Sequence, residues 1–121
     1  MDKYPEITIY GACPSKSNCY KVVRREGHGT LSKSDALKSY EQSFFMQNTL
    51  RNKKISRRFK FTVDVYYKSD RPDLDNSLKI LLDCLQLCGT IANDRLCAEI
   101  HARKFIDKTN PRVVFTIEEL L

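Results

Sequence analysis

Two aspartates separated by one residue, Asp73 and Asp75, come just before an apolar helical pattern in this chain. If residues 73–75 are extended, both carboxylates point to the same side, about 6.5 Å apart at the backbone. Converging carboxylates supply the oxygen ligands that Mg²⁺ prefers, and Mg²⁺ needs few of them because it keeps several waters. The pair is therefore a candidate metal site.

An ordinary structural role explains the same two residues. A carboxylate is favourable at the N-terminal end of a helix, so Asp75 would act as a capping acid and Asp73 would lie in the preceding turn. Lys79 would then pair with Asp83 on a solvated helix face. For an isolated Asp-x-Asp sequence this explanation is the stronger one.

Further charged residues add to the metal hypothesis. Asp75, Lys79 and Asp83 are spaced four apart and share one face of the predicted helix. Asp94 follows the turn after that helix. The helix is about 21 Å long over about 14 residues, so Asp94 comes back toward the start of the helix only if the loop before Asp94 folds back. Gathered carboxylates need a cation, and Lys79 is available as one.

The predicted elements that position these residues form an α+β fold. Periodicity and capping residues predict a strand at 7–10, a helix from Ser32 or Ser34 to about Asn52, a strand at 59–68, a helix from Leu74 or Asp75 to Cys88, and strands at 97–106 and 112–118. Residues 20–33 lack clear periodicity and are predicted to form a loop. Gly89 is well placed as the residue after the C-cap of the second helix. The connection through Asn110 and Pro111 suits a hairpin between the last two strands.

The order β-α-β-α-β-β predicts a mixed β-sheet with two main helices packed on it. The length of 121 residues suits a single compact domain spanning residues 1–121. Five cysteines, odd in number and without paired Cys-x-x-Cys spacing, argue against a disulfide framework or a zinc site. Because the chain lacks a long apolar run and an apolar leader, we expect a cytoplasmic protein with no membrane contact. Nothing indicates an organic cofactor.

The net charge of +6 indicates a polyanionic partner, with nucleic acid first. A protein that merely has a cationic surface is the alternative. The run from Arg51 to Arg58 contains more cations than a helix C-terminus needs, which favours phosphate contact. The candidate DNA-binding residues are Arg24, Arg25, Lys53, Lys54, Arg57, Arg58 and Arg71.

The central motif resembles the RusA family of Holliday junction resolvases. The residues that carry the resemblance are Asp73-Leu74-Asp75-Asn76, Lys79, Leu82-Asp83-Cys84-Leu85, Gly89 and Asp94, with a weaker match at Ile7–Ile9 and Pro14–Asn18. The resemblance implies a homodimeric endonuclease that uses Mg²⁺ to cut four-way DNA junctions with paired symmetric nicks.

The resemblance also implies roles for individual residues. Asp73, Asp75 and Asp94 match the metal-binding carboxylates of the family, and Lys79 matches its essential lysine. Lys104 resembles a further family position and joins the candidate DNA-binding residues. Many relatives carry two consecutive acids where this chain has Asn93-Asp94, so a fourth acidic contribution is in doubt.

Three other functions fit parts of the pattern. A basic nucleic-acid-binding module without catalysis shares the charge but does not need the acids and Lys79. A metal-dependent nuclease acting on other branched DNA, or on RNA, would use the same residues. A structural protein in a larger assembly would need neither a metal nor DNA.

Overall fold

The computed structural model describes residues 3–15, 18–25 and 27–121. Within them, a short 3₁₀ helix at Asp94–Leu96 accompanies six strands and two α-helices. In chain order these are β1 (Ile7–Tyr10), β2 (Tyr20–Arg25), β3 (His28–Lys33), α1 (Asp35–Gln47), β4 (Phe59–Tyr67), α2 (Leu74–Leu87), β5 (Cys97–Ile106) and β6 (Arg112–Glu119).

A four-stranded mixed sheet with the order β1-β6-β4-β5 lies at the centre. Strand β4 pairs in parallel with β5 and antiparallel with β6, which in turn pairs antiparallel with β1. Alternate residues of β4 from Phe59 to Tyr67 are buried, because successive side chains of a strand point to opposite faces. This alternation selects the face of the sheet that the helices cover.

Both helices contribute to one apolar core with the buried face of the sheet. Ser34 caps α1, its Oγ accepting a hydrogen bond from the N–H of Leu37 at 3.1 Å, and Phe44 of α1 stacks on Phe115 of β6 at 5.9 Å. Helix α2 buries Ile80, Leu81 and Leu85, whereas Leu78 and Leu82 are only partly buried. Neither helix, at 13 and 14 residues, has the length and apolar content needed to cross a bilayer.

The predicted fold class is confirmed. The protein is α+β, with a mixed sheet and two main helices, and the central sheet and helices follow the predicted order β-α-β-α-β-β. Helix α1 ends at Gln47, not near Asn52. Its C-cap Asn48 is fully buried, where its amide donates to Thr90 Oγ1 and its side-chain oxygen accepts from the N–H of Leu50.

Two local predictions are wrong. Residues 20–33 are not a loop, because β2 and β3 pair as a separate antiparallel hairpin. This hairpin is largely exposed, so its sequence lacks the apolar alternation that a buried face imposes. The last two strands do not form a hairpin, since β5 and β6 flank β4 on opposite sides. Their connection crosses the end of β4, where the N–H of Asp107 donates to the carbonyl of Tyr67 at 2.7 Å.

Candidate functional site

The acidic pair lies at the start of α2. Asp73 is the N-cap residue, with extended backbone, but its carboxylate makes no capping hydrogen bond, and Asp75 lies in the first turn. Both side chains are exposed, and neither accepts a hydrogen bond or an ion pair from a residue that the structure describes. Burial raises the pKa of the Tyr67 phenol, and the charges of Asp73 and Asp75 add to the increase. Both carboxylates therefore lie in electrostatic range of one buried hydroxyl.

The chain reverses after α2 and brings Asp94 back to the helix. The ammonium of Lys79 lies 2.9 Å from Asp83 Oδ1 and 3.1 Å from Asp94 Oδ2. The hydrogen bond to Asp83, followed by the one to Asp94, raises the pKa of Lys79 above its ordinary value. One cation thus joins the returning segment to the helix face that begins with Asp75.

Two residues that sequence reasoning did not select hold this returning segment. The side-chain oxygen of Gln86 accepts a hydrogen bond from the N–H of Asp94 at 2.9 Å. Asn93 caps the 3₁₀ helix, its Oδ1 accepting from the N–H of Arg95 at 3.0 Å. The available signal for Gln86 was its position one turn beyond Asp83 on α2. Asn93, the residue that departs from the family pattern, therefore has a structural role.

The reversal itself depends on Gly89, as the sequence predicted. Gly89 has a φ of +69°, and its N–H and that of Thr90 bond back to the carbonyls of Gln86 and Leu85. A Cβ at this position would lie 2.9 Å from Asn52 Oδ1, a side-chain atom that can shift, so it is the positive φ that favours glycine here. This turn directs the chain from the end of α2 toward Asp94.

The donor chemistry fits a hard divalent cation. Asp73 and Asp75 offer exposed carboxylate oxygens that no described residue occupies, and oxygen ligands of this kind suit Mg²⁺. Within residues 3–15, 18–25 and 27–121, no three Asp, Glu, His or Cys side chains are grouped closely enough to hold a metal. Asp94 is instead paired with Lys79. The shared site of Asp73, Asp75 and Asp94 stays a prediction.

The basic run after α1 lies beside the segment that leads to Asp94. The N–H groups of Asn52, Lys54 and Ile55 donate to the carbonyls of residues 88–90, and Ile55 pairs with Ile91 as a parallel bridge. Four cations here are exposed and have no ion pair with a described residue, namely Lys53, Lys54, Arg57 and Arg58. Their charge is thus available to a phosphate backbone next to the candidate site.

The other predicted DNA-binding residues have different surroundings. Arg24 is exposed on β2, whereas the side chain of Arg25 lies outside the described part of the structure. Arg71 lines a cleft of about 550 Å³ that it shares with Asp73 and Asn76. Lys104 bonds to the carbonyl of Asp70 at 2.9 Å and to its carboxylate at 3.2 Å. The predicted DNA contact of Lys104 therefore competes with a role in holding the loop before Asp73.

All five cysteines are free, and the four that are buried pack in the core. Burial raises the pKa of the Cys13 thiol to about 11, so this thiol stays protonated at neutral pH. His101 is exposed on β5, while the side chain of His28 lies outside the described residues.

Comparison with protein families gives a match over most of the chain. The model of the family described as Endodeoxyribonuclease RusA matches residues 13–118, a range that contains every candidate site residue from Arg24 to Lys104. A search of curated proteins finds no match.

Proposed function

The chain belongs to the RusA family of endodeoxyribonucleases, and from this premise we propose that it resolves four-way (Holliday) DNA junctions. In this proposal the protein acts in the cytoplasm, in DNA recombination and repair, as a homodimer that makes paired symmetric nicks with Mg²⁺. The observation that carries this proposal is the contact of Lys79 with Asp94, which joins the two separate parts of the acidic motif.

In the proposed site, Asp73, Asp75 and Asp94 hold the Mg²⁺. When bound, the metal supplies an activated water and stabilises the leaving oxygen of a phosphodiester. Asp73 and Asp75 would contribute exposed oxygens, and Gln86 and Lys79 hold Asp94 against α2.

Lys79 has a second task in this proposal. The Lys79 ammonium is charged at neutral pH, and the hydrogen bonds to Asp83 and then to Asp94 raise its pKa further above its ordinary value. A fixed ammonium beside the reacting phosphate offsets the negative charge that grows on the phosphoryl oxygens. In this proposal Asp83 positions Lys79 through their 2.9 Å contact, which is separate from the contact of Lys79 with Asp94.

The proposed DNA path follows the exposed cations. Lys53 and Lys54 lie in the segment that pairs with residues 88–92, and Arg57 and Arg58 follow it along the chain. Arg71 lies in the cleft beside Asp73. Contacts of this kind are electrostatic, so affinity should fall steeply as salt increases. A four-way junction is approximately two-fold symmetric, and a two-fold dimer with two sites matches its two cuts.

The test is nicking of a synthetic four-way junction with and without Mg²⁺, using wild-type protein and Asp75→Asn. We expect Mg²⁺-dependent paired nicks from the wild type. Asp75→Asn should lose cutting while it retains junction binding, because the change removes one charged ligand and leaves the exposed cations in place. A wild type that binds junctions but never nicks them would make the chain a binding module.

Substrate controls separate the remaining functions. Linear duplex, flap and RNA substrates of matched sequence are compared with the junction at equal salt. Preferential cutting of flaps or RNA would assign the chain to a different nuclease class. The mass of the protein in sedimentation, alone and with junction DNA, tests the homodimer.

A further inference from the structure

The β2–β3 hairpin carries an exposed apolar pair. Val22 is 64% exposed and Leu31 is 74% exposed, and the register places the two residues directly opposite each other. Opposed residues share a face of an antiparallel pair, and Tyr20, two residues before Val22, lies on the same face. A two-stranded hairpin usually needs its apolar face covered, and the residues that the structure describes leave Val22 and Leu31 largely uncovered.

The base of the hairpin lies against the candidate site. Tyr20 lines a cavity of about 170 Å³ together with Asp75 and Lys79. Lys33, opposite Tyr20, pairs with Glu41 of α1 at 2.8 Å and fastens the base. The apolar pair lies two residues farther out, about 7 Å along the strand. The β2–β3 hairpin thus carries its apolar pair near the face of α2 that contains the proposed catalytic residues.

The charge of the hairpin selects its partner. Residues 20–33 contain the cations Lys21, Arg24, Arg25 and Lys33 and the single acid Glu26. A second copy of the chain would bring the same positive segment against itself, whereas DNA offers the opposite charge. Apolar side chains contact nucleic acid where base stacking is open, as when apolar wedges enter between base steps. Branched DNA interrupts stacking at its branch point, whereas linear duplex keeps its bases stacked.

We propose that Val22 and Leu31 contact unstacked bases at the branch point of the DNA, and that this contact makes the protein prefer branched over linear substrates. The proposal rests on the proposed function and adds the element that selects the substrate. The exposed cations Lys21 and Arg24 hold the flanking backbones, and the apolar pair occupies the opening between them.

The test compares wild type with the double variant Val22→Thr/Leu31→Thr. Threonine keeps the strand preference of the positions but makes them more polar, because a hydroxyl replaces one methyl group of Val22 and the longer apolar end of Leu31 is lost. Met46→Gln is the matched control, because Met46 is 68% exposed on α1, outside the hairpin. Binding is measured without Mg²⁺, at one salt concentration, to a four-way junction with 2-aminopurine at the branch point and to a linear duplex.

We expect the double variant to bind the junction about tenfold more weakly, the size of one lost base contact. Its duplex affinity should stay unchanged, because the phosphate contacts remain. Wild type and Met46→Gln should raise the 2-aminopurine fluorescence, and the double variant should not. If the double variant loses its far-ultraviolet circular dichroism, the two single substitutions replace it, each with a smaller expected loss.

Several outcomes overturn the inference. Unchanged junction affinity and fluorescence would do so, as would equal losses on junction and duplex. A lower mass of the double variant in sedimentation would instead make the hairpin a self-association surface. If wild type itself shows neither junction preference nor Mg²⁺-dependent nicking, the proposed function fails and the inference falls with it. Wild-type nicking beside an unaffected double variant refutes the hairpin role alone.

Discussion

The hydroxyl of Tyr67 lies 2.6 Å from Oγ of Ser77, and both residues are 3% exposed. This hydrogen bond joins the end of β4 to the first turn of α2, two residues after Asp75. We predict that Tyr67→Phe and Ser77→Ala each lower the free energy of unfolding by about 1–2 kcal/mol. A buried hydrogen bond contributes about 0.5–1.5 kcal/mol net, whereas removing one partner and leaving the other unsatisfied in a dry site costs about 1–3 kcal/mol.

The structure places Tyr67→Phe at the lower end of that range. The hydroxyl of Ser77 also interacts with the Cys13 thiol, so it keeps a weak partner when the phenol is gone. The double variant Tyr67→Phe/Ser77→Ala should cost no more than the larger single change, because it leaves neither hydroxyl without a partner. A coupling free energy of about 1 kcal/mol between the two positions follows.

The assay is urea unfolding followed by far-ultraviolet circular dichroism, since the chain has no tryptophan. Tyr66→Phe is the control, because the Tyr66 hydroxyl has no hydrogen bond to any residue that the structure describes. The control should change stability by less than about 0.5 kcal/mol. Strictly additive losses in the double variant, or an equal loss in Tyr66→Phe, would refute the reasoning.

Two further predictions concern the site and the pH dependence. Gln86→Ala should raise the Mg²⁺ concentration needed for half-maximal nicking by about tenfold, because loss of a contact that holds a metal ligand typically lowers metal affinity or activity by 10- to 100-fold. Gln86→Glu keeps an acceptor for the N–H of Asp94 and should restore part of the loss. An Mg²⁺ titration measures both variants, and an unchanged titration for Gln86→Ala would contradict the role. Burial raises the folded-state pKa of Cys13 from 9.0 to about 11, so the stability linked to this thiol is fully present below pH 9 and is lost as pH rises through 11. In urea unfolding, wild type should therefore lose about 2–3 kcal/mol more than Cys13→Ala over that interval. Parallel pH profiles of the two proteins would exclude the thiol as the cause.

Local patterns in the sequence predicted the elements around the site. The strict alternation from Phe59 to Tyr67 marks β4, because one face of a strand must be buried and the other need not be. Gly89 ends α2 as predicted, since its positive φ favours a residue without a Cβ. These features depend on neighbours within a few residues, and such neighbours are visible in the chain itself.

The hairpin at residues 20–33 and the separation of β5 from β6 were not visible in the same way. An exposed hairpin imposes no apolar period, and the order of strands in a sheet depends on pairing between distant residues. The end of α1 was also decided at long range, because Asn48 leaves the helix to bond with Thr90, 42 residues away. Local propensity contains no information about such partners.

The amino-acid sequence by itself determined the α+β class, the types of the chemical groups and their spacing on α2, since residue type and helical period follow directly from residue order. Only the tertiary structure decided which of those groups meet. In the folded protein the chain reverses after Gly89 and Asp94 contacts Lys79, while Lys104 pairs with Asp70. Contacts of this kind join residues 15 and 34 positions apart, and their formation depends on the packing of the whole core rather than on any local pattern.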